Sequence, residues 1–291
     1  MMTDMADRTL KQEKNSITSA PAAELSQAWE RSDMYLPVAT EVSPVPDESR
    51  VVVHNDPRSA GADRFRWVAI RLKNLQTARG LKTLLITSPL PGDGKSTVSL
   101  NLATVLSENG KHSVLLVEAD TYRPSLVTKL GLRPWPGLYG CYRRKSEPRL
   151  AIRRIDPLGF YLLPAGEPEG DGNLLLQSNF VPQLIKDFAS SPFDWILIDS
   201  PPSTPIAEIL ALKAQADATL LVARAGHTPR EAIEETARNL GRDHIIGIIL
   251  NGVAGLNRVY SKYYGYVKPE APVKEHTSKG TQGLGLNKLG T

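Results

Sequence analysis

The residues best suited to chemistry form one run, Ser88-Pro-Leu-Pro-Gly-Asp-Gly-Lys-Ser-Thr97, which follows an apolar segment at 83–87 and precedes an amphipathic one. A glycine-rich turn between a strand and a helix points backbone N–H groups and the helix N-terminus at phosphate oxygens. A lysine there neutralises the outer phosphates, and a hydroxyl reaches a magnesium ion. The candidate phosphate-binding residues are therefore Pro91, Gly92, Asp93, Gly94, Lys95, Ser96 and Thr97, with Lys95 supplying charge and Ser96 facing the metal. The first glycine of G-x-x-x-x-G-K-[ST] would fall at Pro89, so the turn rests on Gly92 and Gly94.

Acids that would serve such a loop stand where apolar runs stop. Val114-Leu-Leu-Val-Glu118-Ala-Asp120 is one case and Trp195-Ile-Leu-Ile-Asp199 the other. In a parallel sheet the carboxyl ends of the strands share one edge, the edge at which a phosphate loop also lies. Lys95, Ser96, Glu118, Asp120 and Asp199 are expected to converge there as the catalytic set. Mg²⁺ takes hard oxygen ligands and keeps several waters, so Ser96, Asp120 and Asp199 suffice on the protein side. Taken singly, each acid is equally suited to capping a helix or to a solvated loop.

The elements that must position these residues follow from apolar patterning. Continuous apolar runs at 83–87, 113–118, 160–163, 195–199, 219–223 and 245–250 predict strands covered on both faces. Between the first two, Val98, Leu102, Val105 and Leu106 form one helical face over 96–108, closed by Asn109-Gly110. A second helix is predicted over 229–240, opened by Thr228, Pro229 and Glu231 in a capping-box pattern, and a third from Asp63 to about Gln76, stopped by Gly80. This alternation predicts an α/β fold, a doubly wound and mostly parallel sheet in a single domain over 51–267. Residues 1–50, polar and carrying Pro21, Pro37, Pro44 and Pro46, are expected to form a disordered leader, and 268–291 a disordered tail.

Composition removes several classes. The single Cys141 excludes an intramolecular disulfide framework, and five scattered histidines give no zinc-finger spacing. No apolar stretch reaches the roughly 18 residues of a membrane span, and the amino terminus is not a signal peptide. The net charge of +4 hides an uneven distribution, because residues 122–154 hold nine basic side chains and one acidic one. Without a nucleic-acid-binding motif, that stretch is expected to dock on a partner's cytoplasmic segment or an anionic membrane surface, not on nucleic acid. Four of the nine tyrosines, Tyr260, Tyr263, Tyr264 and Tyr266, crowd a segment whose phenols would need hydrogen-bond partners if buried.

The order of these motifs, with Leu162-Leu-Pro-Ala-Gly166 between the acidic strands, resembles the bacterial tyrosine kinases. These are P-loop autokinases of capsule and exopolysaccharide assembly with Walker A, A′ and B motifs. The sequence is most similar to the cytoplasmic CpsD/CapB-like branch, in which a membrane-embedded polysaccharide co-polymerase activates the kinase. The resemblance implies ATP and Mg²⁺ as cofactors, Lys95 and Ser96 on phosphates and metal, Asp120 and Asp199 on the metal and its waters, and Glu118 or Asp120 as acceptor of the phenol proton. It implies that Tyr260, Tyr263, Tyr264 and Tyr266 take phosphate from a neighbouring copy in a homo-oligomer, and that the chain works at the inner face of the membrane through its partner. The family's A′ motif reads Asp-x-Asp-x-Arg, whereas this chain has Glu118 and Tyr122 at the outer positions. Asp63-Arg64-Phe65-Arg66 matches the family's oligomer-forming helix in part. A ParA/MinD-like ATPase switch shares the fold, but its signature lysine would fall at Leu90 and it lacks the tyrosine cluster. A weakly catalytic nucleotide-binding scaffold is the third reading.

Overall fold

The computed structural model describes residues 38–143, 147–167, 175, 178–203 and 208–254. The tyrosine cluster and the tail lie outside the described residues. Among these, eight strands make one sheet: β1 (Thr40–Val42), β2 (Thr83–Thr87), β3 (Val114–Glu118), β4 (Arg153–Asp156), β5 (Phe160–Leu163), β6 (Trp195–Asp199), β7 (Ala218–Arg224) and β8 (Ile245–Asn251). Their order is β1-β4-β5-β3-β6-β2-β7-β8. From β5 to β8 every pairing is parallel, while β4 runs antiparallel to β5 and β1 parallel to β4.

All five residues of β2, β3 and β6 are buried, as continuous apolar runs require. Successive side chains point to opposite faces, and each face has its own core. On one, Leu84, Ile86, Leu116 and Leu197 pack against Ala69 and Leu72 of α2 (Ala60–Arg79) and Val98, Leu102 and Leu106 of α3 (Lys95–Ser107). α1 (Val52–Asn55) precedes α2. On the other face, Leu85, Leu115, Ile196 and Ile198 pack against Val181, Leu184, Ile185 and Phe188 of α7 (Phe180–Ala189). Short helices α4 (Leu126–Lys129), α5 (Leu138–Tyr142) and α6 (Pro148–Ala151) fill the β3–β4 connection; α8 (Glu208–Lys213) and α9 (Arg230–Leu240) flank β7.

The helices extend or alter the sequence expectations. α2 is capped by Ser59, whose Oγ accepts the Ala62 N–H at 3.2 Å, and closed by Gly80 with φ 70°. The expected capping box at α9 does not form. Its N-cap is Pro229, and the Thr228 hydroxyl is engaged elsewhere. β8 is the last strand of the sheet, and Ile248 and Leu250 are exposed despite its apolar run.

The boundary expected at residue 50 is also corrected. Residues 38–50 belong to the folded body. Ser43 Oγ donates to the Leu130 carbonyl at 2.7 Å, Val45 and Val51 are buried, and Asn101 Nδ2 donates to the Arg50 carbonyl at 2.9 Å. The segment is held by backbone hydrogen bonds and an ion pair from Glu41 to Arg153, so apolar patterning does not reveal it. Part of the basic stretch is consumed in the same region. Arg153 stacks on Trp135 at 4.7 Å besides pairing with Glu41, and Arg154 pairs with Asp156 at 3.0 Å. Residues 144–146, within that stretch, are outside the described residues.

Candidate functional site

β2 delivers the chain into the phosphate loop and α3 carries it away. Gly92 and Gly94 take left-handed φ values of 86° and 95°, and Gly94 is the N-cap of α3. Glycine is needed at Gly94 for a second reason: a Cβ there would stand 2.0 Å from Asn251 Nδ2. Pro89, in place of the motif's first glycine, is not among the residues with positive φ, so the departure leaves the turn intact. Among the described residues, no hydrogen-bond acceptor engages the N–H groups of Gly92 through Thr97. A helix start with unengaged donors is an anion site.

Lys95, the first residue of α3, is nearly buried, and its Nζ lies 2.8 Å from Asp120 Oδ2. Asp120 is placed by the backbone: the N–H groups of Ala119 and Asp120 donate to the Asp199 carbonyl at 2.8 and 3.0 Å, locking the ends of β3 and β6 together. Asp120 Oδ1 accepts the Arg123 N–H at 3.1 Å. Asp199 is fully buried, and its Oδ1 accepts from Ser99 Oγ at 3.0 Å. Its Oδ2 is buried with no hydrogen-bond partner among the described residues. Burial pushes the Asp199 carboxyl up to about 7, against the pull of Lys95 and of the hydroxyls of Ser96 and Ser99.

An unpaired buried carboxylate oxygen beside a serine hydroxyl and a second acid is a hard-oxygen donor set that fits Mg²⁺. Among the described residues no three His, Cys, Asp or Glu side chains cluster as a complete metal cage. An ion here would keep water and phosphate oxygens, as Mg²⁺ prefers. Ser96 and Asp199 would hold it, and the loop N–H groups with Lys95 would hold the phosphates of a nucleotide.

Two expected site residues turn away from this centre. Glu118 Oε1 accepts the N–H groups of Ser125 and Leu126 at 2.6 and 2.7 Å, and Oε2 accepts Ala165 N–H at 3.0 Å. It brackets β3 to the start of α4 and to the chain after β5, so both of its oxygens are engaged away from the phosphate loop. Burial raises the Glu118 carboxyl above the usual glutamate range, against those three backbone donors. The Asp93 side chain likewise faces Thr228 and His227 after β7, not the phosphate side of the loop. Sequence reasoning misses Ser99 on Asp199, and Arg224, His227, Thr228 and Asn251 against the loop. Arg224 and Asn251 end β7 and β8, so the strand-end rule that finds Asp199 would have found them too.

The model of the ParA family, described as NUBPL iron-transfer P-loop NTPase, matches residues 81–251. The chain belongs to this family of P-loop NTPases. Within it the chain is similar to bacterial tyrosine kinases, as the motif order implies. It is 28% identical to the tyrosine-protein kinase YwqD of Bacillus subtilis over 75% of this chain and 92% of that one. With the tyrosine-protein kinase CpsD of Streptococcus agalactiae it is 28% identical over 75% of this chain and 95% of the relative. The match to the succinoglycan biosynthesis transport protein ExoP of Rhizobium meliloti is 29% identical and covers 70% of this chain but 26% of that longer protein. Among solved structures, the VpsO kinase domain superposes with a TM-score of 0.57 at 27% identity, over 65% of this chain and 94% of that one. The kinase domain of Escherichia coli ETK gives 0.66 at 22% identity, over 78% and 85%, a likeness of fold. No helix among the described residues is long and apolar enough to cross a membrane.

Proposed function

We propose that this chain is an ATP- and Mg²⁺-dependent protein-tyrosine kinase that phosphorylates the tyrosine cluster of a neighbouring copy and regulates polysaccharide polymerisation and export. The observation that carries the chemistry is the Lys95–Asp120 pair beside the unpaired Asp199 oxygen at the mouth of the phosphate loop. Similarity to YwqD and CpsD over nearly their whole lengths, together with Tyr260, Tyr263, Tyr264 and Tyr266, favours a kinase over an ATPase switch.

ATP supplies the phosphoryl group and Mg²⁺ neutralises its charge. Lys95 exchanges Asp120 for phosphate oxygens as substrate arrives, and the released Asp120 carboxylate accepts the proton of the incoming phenol. An unperturbed phenol has a pKa of about 10, so removing that proton during transfer lowers the barrier. The loop N–H groups are fixed before substrate arrives, and such preorganisation contributes strongly to phosphoryl transfer. In this proposal the kinase domain extends through the tyrosine cluster to residue 267. Each phosphate there adds about −1.5 to −2 charges, so phosphorylation repels the segment from acidic surfaces and loosens the oligomer. A membrane-embedded activator is the proposed partner, docking on the basic stretch 122–154 and drawing the chain to the inner membrane surface.

Incubation with ATP, Mg²⁺ and the activator's cytoplasmic segment, followed by mass spectrometry, tests the proposal. Phosphotyrosine within 260–266 of the parent and none in Lys95→Met supports it. ATP turnover without phosphotyrosine indicates the ATPase switch, and binding without turnover the scaffold.

A further inference from the structure

The acid inside the anion-binding loop has a use beyond the site just described. Asp93 is fully buried, and its oxygens are taken on the side away from the phosphates. Oδ2 accepts the Leu90 N–H at 2.9 Å, closing the loop's own turn. Oδ1 accepts the Thr228 hydroxyl at 2.5 Å and has His227 Nε2 at 3.8 Å. Thr228 Oγ1 itself accepts the Arg224 N–H at 2.7 Å, which directs its single proton at Asp93 and ties the contact to the end of β7.

Three consecutive loop carbonyls are drawn the same way. Pro91 O accepts His227 Nε2 at 3.3 Å, Gly92 O accepts Arg224 Nη1 at 3.3 Å, and Asp93 O accepts Asn251 Nδ2 at 3.0 Å. A peptide unit is planar and trans, so its C=O and the N–H of the following residue point in opposite directions. Fixing the carbonyls of Pro91, Gly92 and Asp93 toward β7 and β8 therefore aims the N–H groups of Gly92, Asp93 and Gly94 at the phosphate side. Those N–H groups have no acceptor among the described residues.

We propose that Asp93, Thr228 and Asn251, with Arg224 and His227, form a brace behind the phosphate loop. The brace sets nucleotide affinity by orienting loop N–H groups without touching the nucleotide. These are positioning residues, and their effect on affinity rests on the nucleotide-binding reading of the site. Thr228 is the decisive member because it joins the loop acid to the strand end across 135 residues of sequence.

The test uses the full chain and two readouts. Hydrogen exchange of loop peptides, without nucleotide, measures the brace itself; fluorescent ADP titrated with Mg²⁺ measures its consequence. Thr228→Val is expected to raise loop exchange and weaken ADP binding by about tenfold each, the size of one lost hydrogen bond. Thr228→Ser keeps the hydroxyl and is expected to stay within about threefold of the parent. Should Thr228→Val fail to fold, the double variant of exposed side chains Arg224→Ala and His227→Ala is expected to loosen the loop by about fivefold. Parental exchange in both Thr228→Val and the double variant would overturn the brace, as would Thr228→Ser behaving like Thr228→Val. If the parent itself binds no ADP, the nucleotide reading falls and the exchange data still decide the brace.

Discussion

Replacing Asp199 by asparagine is expected to stabilise the substrate-free protein at slightly alkaline pH while removing its response to Mg²⁺-nucleotide. Burial lifts this carboxyl from 3.8 to about 7. At about 1.36 kcal/mol per pH unit, that corresponds to roughly 4 kcal/mol of differential cost in ionising it inside the fold. Because the folded-state value lies above the unfolded one, the associated stability is fully present below about pH 4 and is lost as pH rises through about 7. Asparagine keeps the shape and stays neutral, but it places an amide donor where Oδ2 has no partner, which costs about 1–3 kcal/mol. The net expectation is a gain of about 1–3 kcal/mol at about pH 8, turning into equality or a small loss near pH 5 where the parent is protonated. Urea unfolding of both proteins at the two pH values, with and without Mg²⁺ and ADP, measures this. The ligands should stabilise the parent and have little effect on the variant. If Asp199→Asn is instead destabilised equally at both pH values, Asp199 is an ordinary ionised partner of Lys95 and the argument from its unpaired oxygen fails.

Glu118→Gln separates a bracket from a base: the amide nitrogen cannot accept a backbone N–H, so at least one of the three donors is stranded, and this should lower stability by about 1–3 kcal/mol in urea unfolding below about pH 5, with little change in ADP affinity. A loss of phosphotransfer far beyond the loss of folded protein would return the proton-acceptor role to Glu118. Gly94→Ala forces a Cβ to 2.0 Å from the Asn251 amide at a φ of 95°, so calorimetry should show nucleotide binding weakened by about a hundredfold or more. Gly137→Ala places a Cβ 2.1 Å from the Pro164 carbonyl oxygen, where backbone must move, and should cost more than about 3 kcal/mol in chemical unfolding.

The central strands and the phosphate loop are legible in the sequence for one physical reason. β2, β5 and β6 are apolar along their length and mostly buried, so their boundaries show as changes in composition. The edges are not legible by that signal. β4 reads Arg-Arg-Ile-Asp because it lies beside a three-residue strand and spends its arginines on Glu41, Asp156 and the face of Trp135. β8 shows the opposite failure, since its apolar run does not reveal that, among the described residues, it is the edge strand with Ile248 and Leu250 exposed. Within the site, the strand-end rule brings Lys95, Asp120 and Asp199 together. Glu118 stands at the same edge but turns to the start of α4, because an acid at a strand end serves a helix start equally well. Thr228 with Glu231 has the spacing of a capping box, yet the hydroxyl goes to Asp93. A contact between residues so far apart leaves no local pattern.

A mixing experiment tests transfer between copies most directly. One chain carries Lys95→Met and intact tyrosines; the other is competent but has Tyr260, Tyr263, Tyr264 and Tyr266 changed to phenylalanine. Incubated together with ATP, Mg²⁺ and the activator's segment, the mixture should yield phosphotyrosine within 260–266 of the Lys95→Met chain, while neither chain alone yields any there. Absence of phosphate from that chain, under conditions in which the parent labels itself, would contradict transfer between copies.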